Sequence, residues 1–331
     1  MKRYNNLLPQ ILDINNLYKA MLNGAKNKKN RISVRKFVNY AHREIEKLIF
    51  EVENCIYSPQ EYHRFYVYEP KKREICAPHF RDVVLQHAIY QILYPIFDKG
   101  FCAASHGCRK KHGVLSAVNY LQAQMRKTDS EKYYIQMDIK KFYYSINKDK
   151  LRALIEKKIK DNEVVNLCMQ FTNKEAVGLP IGNLLSQLFG LIYLNPLDTY
   201  IKRELRFKKF VRYVDDFVIL DLSLQEAQEA KAKIIAFLKD KLGLELSKCH
   251  IAKVKKGINF TGYRIWKTHR LVRKHTLYRF KKHCKKGNIH SCISSISNAT
   301  HTQSFKFYIL IAKKYGVFEK LPIKLQRRTN G

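Results

Sequence analysis

The chain has 331 residues, 63 Lys plus Arg against 28 Asp plus Glu, a net charge of +35 and a pI near 9.8. Self-repulsion on that scale is relieved by a polyanion, so nucleic acid is the expected partner. No apolar run approaches the roughly 20 residues needed to span a bilayer, and "MKRYNNLLPQILDINN" breaks its apolar stretch too early for a signal peptide, which points to a cytoplasmic protein with no membrane partner.

The first 60 residues predict helices around a basic turn, "GAKNKKNRISVRK". Residues 62–80, "YHRFYVYEPKKREICAPHF", read as two strands joined by a basic turn. "DVVLQHAIYQILYPIFDKGF" follows at helical spacing, with Leu85, Ala88, Ile89, Ile92 and Ile96 on one stripe. "YYIQMDIKKFYYSI" alternates like a strand up to Ile139. Ile135, Met137 and Ile139 face one way, while Tyr134, Gln136 and Asp138 face the other. Residues 209–214 and 217–222 read as strands joined at Asp215–Asp216. Ser223 and Glu226 have capping-box spacing, and Ala227, Ala230, Ile234, Leu238 and Leu242 continue one helical stripe. "GINFTGYRIW" predicts another short strand pair. Residues 264–331 hold 17 Lys and Arg against one acid, Glu319. There the expectation is of aromatics (Tyr278, Phe280, Phe305, Phe307, Tyr308) turned inward and lysines turned outward toward a nucleic-acid backbone.

The eight cysteines include no CxxC pair, which fits a reduced compartment. His283, Cys284, His290 and Cys292 cluster in "HCKKGNIHSC", but their spacing is not that of a usual zinc module, and small core residues with exposed histidines are the favoured reading.

Asp215 and Asp216 interrupt an apolar hairpin, "RFKKFVRYVDDFVILDL". Neighbouring carboxylates repel and resist burial. A divalent cation removes that penalty, and magnesium takes oxygen ligands while sharing its shell with phosphates. Asp138, on the outward face of its strand, is the natural third carboxylate. Two ions ~3.5–4 Å apart would clamp both oxygens of an in-line phosphoryl displacement. A polyanion partner with such a site means a polymerase or a nuclease. A lone Asp-Asp is also an ordinary turn.

The surrounding motifs add specificity. "RYVDDFVIL", preceded by "QMDIKKFYYSI" and "GLPIGNLLSQLFGLIYLNPLD", resembles a reverse transcriptase across roughly residues 60–265. The stretch "KKREICAP…RDVVLQHAIYQILYPIFDKGF…SHGCRKKHG" is close to the group II intron-like bacterial lineage, cytoplasmic and bacterial or phage-encoded. Most such enzymes carry Pro-Gln-Gly, three residues, then Ser-Pro. Here Ile181 replaces the Gln and Gln187 replaces the Pro. That variant resembles the reverse transcriptases of diversity-generating retroelements.

The resemblance implies an α+β, right-hand polymerase fold with fingers, a palm of antiparallel sheet packed on helices, and a helical thumb. The implied order is a basic helical segment over 1–60, fingers over 61–135, palm over 136–146, fingers over 147–175, palm over 176–265 and basic thumb over 266–331. It also implies RNA-directed DNA synthesis on a template-repeat RNA, error-prone opposite adenine, with the cDNA replacing a variable region of a target gene. The partners would be template RNA, an RNA–DNA hybrid, dNTPs and a small basic pentameric accessory protein. The cofactor would be two Mg²⁺ ions, with Mn²⁺ as substitute.

By the same resemblance Asp138, Asp215 and Asp216 are catalytic metal ligands, joined by the Ile139 carbonyl. Tyr143, five residues after Asp138, stands where a bulky aromatic lies beneath the sugar and excludes a 2′-hydroxyl. Lys71, Lys72 and Arg73 are candidates for the triphosphate, and Ile181, Gly182 and Gln187 for the nucleotide site. A general acid protonating pyrophosphate is either His250 or Lys248, or else both are structural.

The rivals are a group II intron maturase, which continues past the thumb into DNA-binding and endonuclease regions, a retron enzyme, whose Val-Thr-Gly signature is not found, and a phage-defence enzyme. An RNA-dependent RNA polymerase is disfavoured by Tyr143. A non-catalytic nucleic-acid-binding protein of polymerase fold is the rival of another class, and the intact acidic triad argues against it.

Overall fold

The structure, a computed structural model, describes residues 3–68, 72–172 and 177–327. It mixes helix and sheet and divides into two compact units. The first comprises Met1–Arg109, Asp138–Arg206 and Ala232–Lys248, the second Lys110–Met137, Phe207–Lys231 and Cys249–Gly331.

In the first unit, helices Ile14–Ala25 and Ala41–Glu53 surround helix Phe80–Asp98. Strands β1 (His63–Val67) and β2 (Arg73–Ala77) form a two-stranded antiparallel ribbon whose β1 residues are all exposed. Helix Phe80–Asp98 buries Leu85, Ala88 and Ile89 as expected. Its buried surface then runs through Leu93, Tyr94 and Phe97, while Ile92 and Ile96 stay half-exposed. The apolar residues of this helix encircle it, so a single stripe understates its burial. Two polar residues four apart, Asp82 and Gln86, are as buried as its apolar ones. The short strand β3 (Ser105–His106), helix Lys148–Glu156 and helix Leu184–Thr199 also belong to this unit.

In the second unit β4 (Tyr133–Ile139) is followed by β5 (Phe210–Tyr213), β6 (Asp216–Leu222) and β7 (Leu246–Lys253), side by side in the order β5-β6-β4-β7. The ends of β4 and β7, from Asp138 to Ile139 and from Leu246 to Lys248, belong to the first unit. The burial of β4 alternates beyond Ile135, with Met137 and Ile139 buried and Gln136 and Asp138 half-buried. Tyr134 is buried too, against a core of Val211, Val218, Phe260 and Ile265. The predicted capping box forms: the Ser223 N–H donates to Glu226 Oε2 at 2.7 Å, and the Glu226 N–H donates to Ser223 Oγ at 3.1 Å. The predicted stripe is buried throughout, with Ala227 and Ala230 in this unit and Ile234, Leu238 and Leu242 in the first. Strands β8 (Ile258–Phe260), β9 (Tyr263–Ile265) and β10 (Arg270–Val272) form an antiparallel meander.

Helices Lys274–Lys285, Ile289–Ala299 and Phe305–Lys314 pack into a bundle around Phe280, Ile296 and Tyr308. Cys284 and Cys292 sit in that core with their sulfurs 3.6 Å apart, and burial raises both thiol pKa values. One expectation is corrected here. Phe280 and Tyr308 are buried, but Tyr278 is 70% exposed and Phe307 47% exposed. Tyr278 and Phe307 lie on the outer faces of their helices, and Lys281 Nζ stands 5.8 Å from the Phe307 ring.

Candidate active site

The acidic hairpin turns one residue earlier than the sequence suggests. Tyr213 pairs with Asp216, so the two-residue loop is Val214–Asp215 and Asp216 opens β6. Val214 has φ +55. Positive φ at the first loop position matches the twist of a tight hairpin, yet it is a strained conformation for a β-branched residue. Arg212 holds the turn from below. It is 1% exposed, and its Nη1 donates to the Val214 carbonyl at 2.8 Å. A buried arginine inside "FVRYVDD" was not recognised from sequence; the signal available was a charged residue at an inward strand position.

Asp216 is half-buried, and its Oδ1 accepts from Gln136 Nε2 at 2.8 Å. Gln136 also donates to the Asn259 carbonyl at 2.8 Å, tying β4 to β8. The neighbouring β8–β9 turn contains Thr261 at φ +44 and Gly262 at φ +91. Arg273 donates its backbone N–H to the Gly262 carbonyl at 3.3 Å. Burial pushes its guanidinium below the ordinary value, and the Asp216 carboxylate opposes that shift. Thr261 Oγ1 and Arg273 Nε are both buried without a hydrogen-bond partner. Neither residue was singled out from sequence, because a turn Thr and an Arg at a helix start look ordinary.

In the first unit, Asp138 accepts a hydrogen bond from the Ser247 hydroxyl through Oδ2, and Ser247 also reaches the Asp138 carbonyl at 3.2 Å. Ile139 is buried, and the Lys140 N–H that follows donates to the Glu245 carbonyl at 2.8 Å. Among the described residues no group of three or more His, Cys, Asp or Glu side chains could hold a metal ion as it stands. The Asp138 and Asp216 carboxylates are engaged instead by Ser247 and Gln136. The donor set itself is hard oxygen, which fits Mg²⁺ rather than zinc.

Tyr143 is half-buried in a short helix, Phe142–Ser145, that follows Lys141 at φ +45. Its carbonyl accepts from the Leu179 N–H at 2.7 Å, and its hydroxyl lies 3.8 Å from Cys108 Sγ. Gly190 makes room for the ring: a Cβ there would come within 3.2 Å of Phe142 and of Tyr143. The loop bearing Cys108 is pinned by Arg109, which donates to Asp98 at 2.8 Å and to the Cys102 and Ser105 carbonyls.

The segment Pro180–Gln187 leads into helix Leu184–Thr199. The Cys76 N–H of β2 donates to the Ile181 carbonyl at 2.7 Å. Gly182 adopts φ +126, and a Cβ there would lie 2.6 Å from the Cys76 carbonyl oxygen. Ile181 is half-buried, whereas Gly182 and Gln187 are exposed. On β2, Arg73 is exposed, and Lys72 just before it places Nζ 4.4 Å from the Tyr66 ring centre. Lys71 lies outside the described residues. Lys248 and His250 are exposed on β7, the His250 ring edge-on to Tyr134 at 5.8 Å.

The profile of the reverse transcriptase (RNA-dependent DNA polymerase) family matches residues 69–265, more than half of the chain, and the chain belongs to that family. It is 26% identical over 303 residues to the group II intron-encoded protein LtrA of Lactococcus lactis subsp. cremoris, covering 68% of this chain and 50% of LtrA. It is 23% identical over 289 residues to protein YkfC of Escherichia coli K12, covering 71% and 73%. The chain thus spans about half the length of LtrA. A solved telomerase from Candida albicans, in complex with a fragment of telomeric RNA, aligns at 13% identity and a TM-score of 0.49, covering 78% of this chain and 54% of that one. No helix among the described residues is long and apolar enough to cross a membrane.

Proposed function

We propose that this chain is an RNA-directed DNA polymerase whose reaction centre is built from Asp138, Asp215 and Asp216. One observation carries the reading. Gln136 binds the Asp216 carboxylate at 2.8 Å, and Asp138 follows two residues later on the same face of β4. Asp138 and Asp216 would exchange the Ser247 and Gln136 hydrogen bonds for magnesium, with the Ile139 carbonyl as a further oxygen donor. Bound there, magnesium supplies charge neutralisation at the transferred phosphoryl group.

The remaining roles fall to the chain's own side chains. Arg73 and Lys72 offer positive charge to the triphosphate. The Tyr143 ring, backed by Gly190, closes the space a 2′-hydroxyl would need. Thr261 Oγ1 and Arg273 Nε, donors without partners, suit a phosphodiester of the primer strand, and the electrostatic pairing of Arg273 with Asp216 suits a primer terminus. The exposed Tyr278 and Phe307, set among lysines, suit a nucleic-acid backbone with stacked bases.

Within this activity, Ile181 and Gln187 favour the diversity-generating retroelement type. An isoleucine offers the incoming nucleotide shape without a hydrogen bond, which weakens rejection of mispairs. Template-repeat RNA, error-prone cDNA and a small basic accessory protein belong to that finer reading. The likeness to LtrA favours the group II intron type as the second reading.

Primer extension on an RNA template with Mg²⁺ tests the activity. Wild type is expected to extend and Asp215→Ala to lose extension by several orders of magnitude. Equal incorporation by both proteins would refute the assignment. Sequencing the products decides between the types: errors concentrated opposite adenine support the retroelement reading, and uniformly rare errors support the intron reading.

A further inference from the structure

Two amides are buried where an apolar side chain would be ordinary. Gln86 and Asn183 are each 1% exposed. Gln86 Oε1 accepts from the Leu184 N–H at 3.0 Å and the Leu185 N–H at 3.4 Å, so it caps the helix start that Asn183's own side chain leaves uncapped. Gln86 Nε2 donates to Asn183 Oδ1 at 3.3 Å. Asn183 Nδ2 donates in turn to the Tyr62 hydroxyl at 2.7 Å and to the Phe171 carbonyl at 3.2 Å. Both carbonyl oxygens and both amide nitrogens are thus engaged, and a network satisfied in this way fixes one arrangement of its parts.

Its parts are informative. Asn183 directly follows Gly182, and the preceding Ile181 carbonyl is bonded to β2 at Cys76. Tyr62 directly precedes β1, the partner of β2. One turn before Gln86, Asp82 accepts from the Tyr57 hydroxyl at 2.8 Å and the Gln60 N–H at 3.0 Å. A single face of helix Phe80–Asp98 therefore holds both the root of the β1–β2 ribbon and the Pro180–Asn183 segment. An apolar pair at 86 and 183 could fill the same volume, but it could not set the segment's register against β2.

We propose that Gln86 and Asn183 are positioning residues, which fix Ile181 and Gly182 relative to Lys72 and Arg73 so that the incoming nucleotide meets a site of defined width. This rests on the polymerase reading above. The nucleotide is touched by neither amide; both act through the backbone between Ile181 and Leu184.

The test is steady-state single-nucleotide incorporation on an RNA template, per active site, with Asn183→Leu and Tyr62→Phe beside wild type. Asn183→Leu keeps the branched shape of the side chain, though it is somewhat bulkier, and removes every hydrogen bond of the amide. It is expected to raise the KM for the correct dNTP about tenfold, more than kcat falls, and to raise the mispair ratio. Tyr62→Phe removes one hydroxyl and is expected to move both quantities the same way by about two- to threefold. A purely structural role would lower Tm and the active fraction and leave KM and mispair ratio at wild-type values; that result overturns the proposal. Should Asn183→Leu fail to fold, Tyr62→Phe decides alone on the same two quantities. An inactive wild type would instead sink the polymerase reading, whereas an active wild type, a dead Asp215→Ala and unchanged KM in Tyr62→Phe would sink this assignment only.

Discussion

Substitution of Gly182 by alanine strikes the segment against β2 in two independent ways. Gly182 has φ +126, a region that L-residues rarely adopt, and forcing one there costs about 1–3 kcal/mol. The new Cβ would also stand 2.6 Å from the Cys76 carbonyl oxygen. That oxygen belongs to backbone and cannot rotate away, because the Cys76 N–H is bonded to Ile181 at 2.7 Å. Overpacking of this kind adds about 1–3 kcal/mol. The two penalties share one relaxation, separation of β2 from the segment, so the expected loss is about 2–4 kcal/mol rather than their full sum. Urea unfolding of wild type and Gly182→Ala measures it, with Gly113→Ala as control. Gly113 has no atom within 4 Å of a built Cβ and φ −81, so that change should stay within about 0.5 kcal/mol. If relaxation takes the strand-opening route, the surviving protein should also show a raised KM for dNTP. A Gly182→Ala protein with wild-type stability and wild-type KM would refute both the steric reasoning and the placement of this segment at the nucleotide.

Four further outcomes are expected. Ile181→Gln restores a polar side chain toward the nucleotide and should lower misincorporation opposite adenine several-fold; unchanged error spectra in sequenced cDNA would clear Ile181 of responsibility. Tyr143→Ala should admit ribonucleotides, raising rNTP relative to dNTP incorporation by about two orders of magnitude in a competition assay. Arg273→Leu should weaken primer–template binding and lower the slope of log affinity against log salt by roughly one ion, as for loss of one phosphate contact. Hydrogen bonds from Lys253 and Lys255 hold the Glu131 carboxyl down to about 2. A depressed carboxyl contributes stability that is complete above its ordinary value of 4.5 and is lost as pH falls through about 2. Its NMR titration midpoint should therefore lie near 2 in the folded protein, and Glu131→Gln should remove that dependence.

The sequence made most elements legible wherever one face is buried. Capping-box spacing located the helix that follows β6, and the alternation of β4 placed Asp138 beside Gln136 rather than Met137. Patterning was less able to resolve chain reversal. Strands joined at Asp215–Asp216 were expected because two carboxylates look like a turn, whereas the loop is Val214–Asp215 with the β-branched residue at φ +55. Arg212 bonds the Val214 carbonyl, and an interaction of that kind is invisible to periodicity. The same blindness hid Gln86, Asn183, Thr261 and Arg273, whose roles depend on partners distant in sequence. Tyr278 and Phe307 failed for a different reason: large aromatics are read as inward by default, yet much of a folded surface is apolar and these two stand on outer helix faces.

These misses share a location in the chemistry. Val214 is strained, Gly182 is confined and Arg273 is a half-buried cation with an unpaired donor, and all three adjoin residues to which the proposed reading gives a part in the reaction. A chain selected for stability alone would relax each of them: asparagine in place of Val214, a wider approach of β2, a partner for Arg273. Their persistence is what preorganisation requires, since a nucleotide site must hold its shape before the nucleotide arrives. The high net charge belongs to the same account. Repulsion spread over 63 basic residues destabilises the free protein, and on the proposed reading an RNA–DNA hybrid would remove that repulsion on binding.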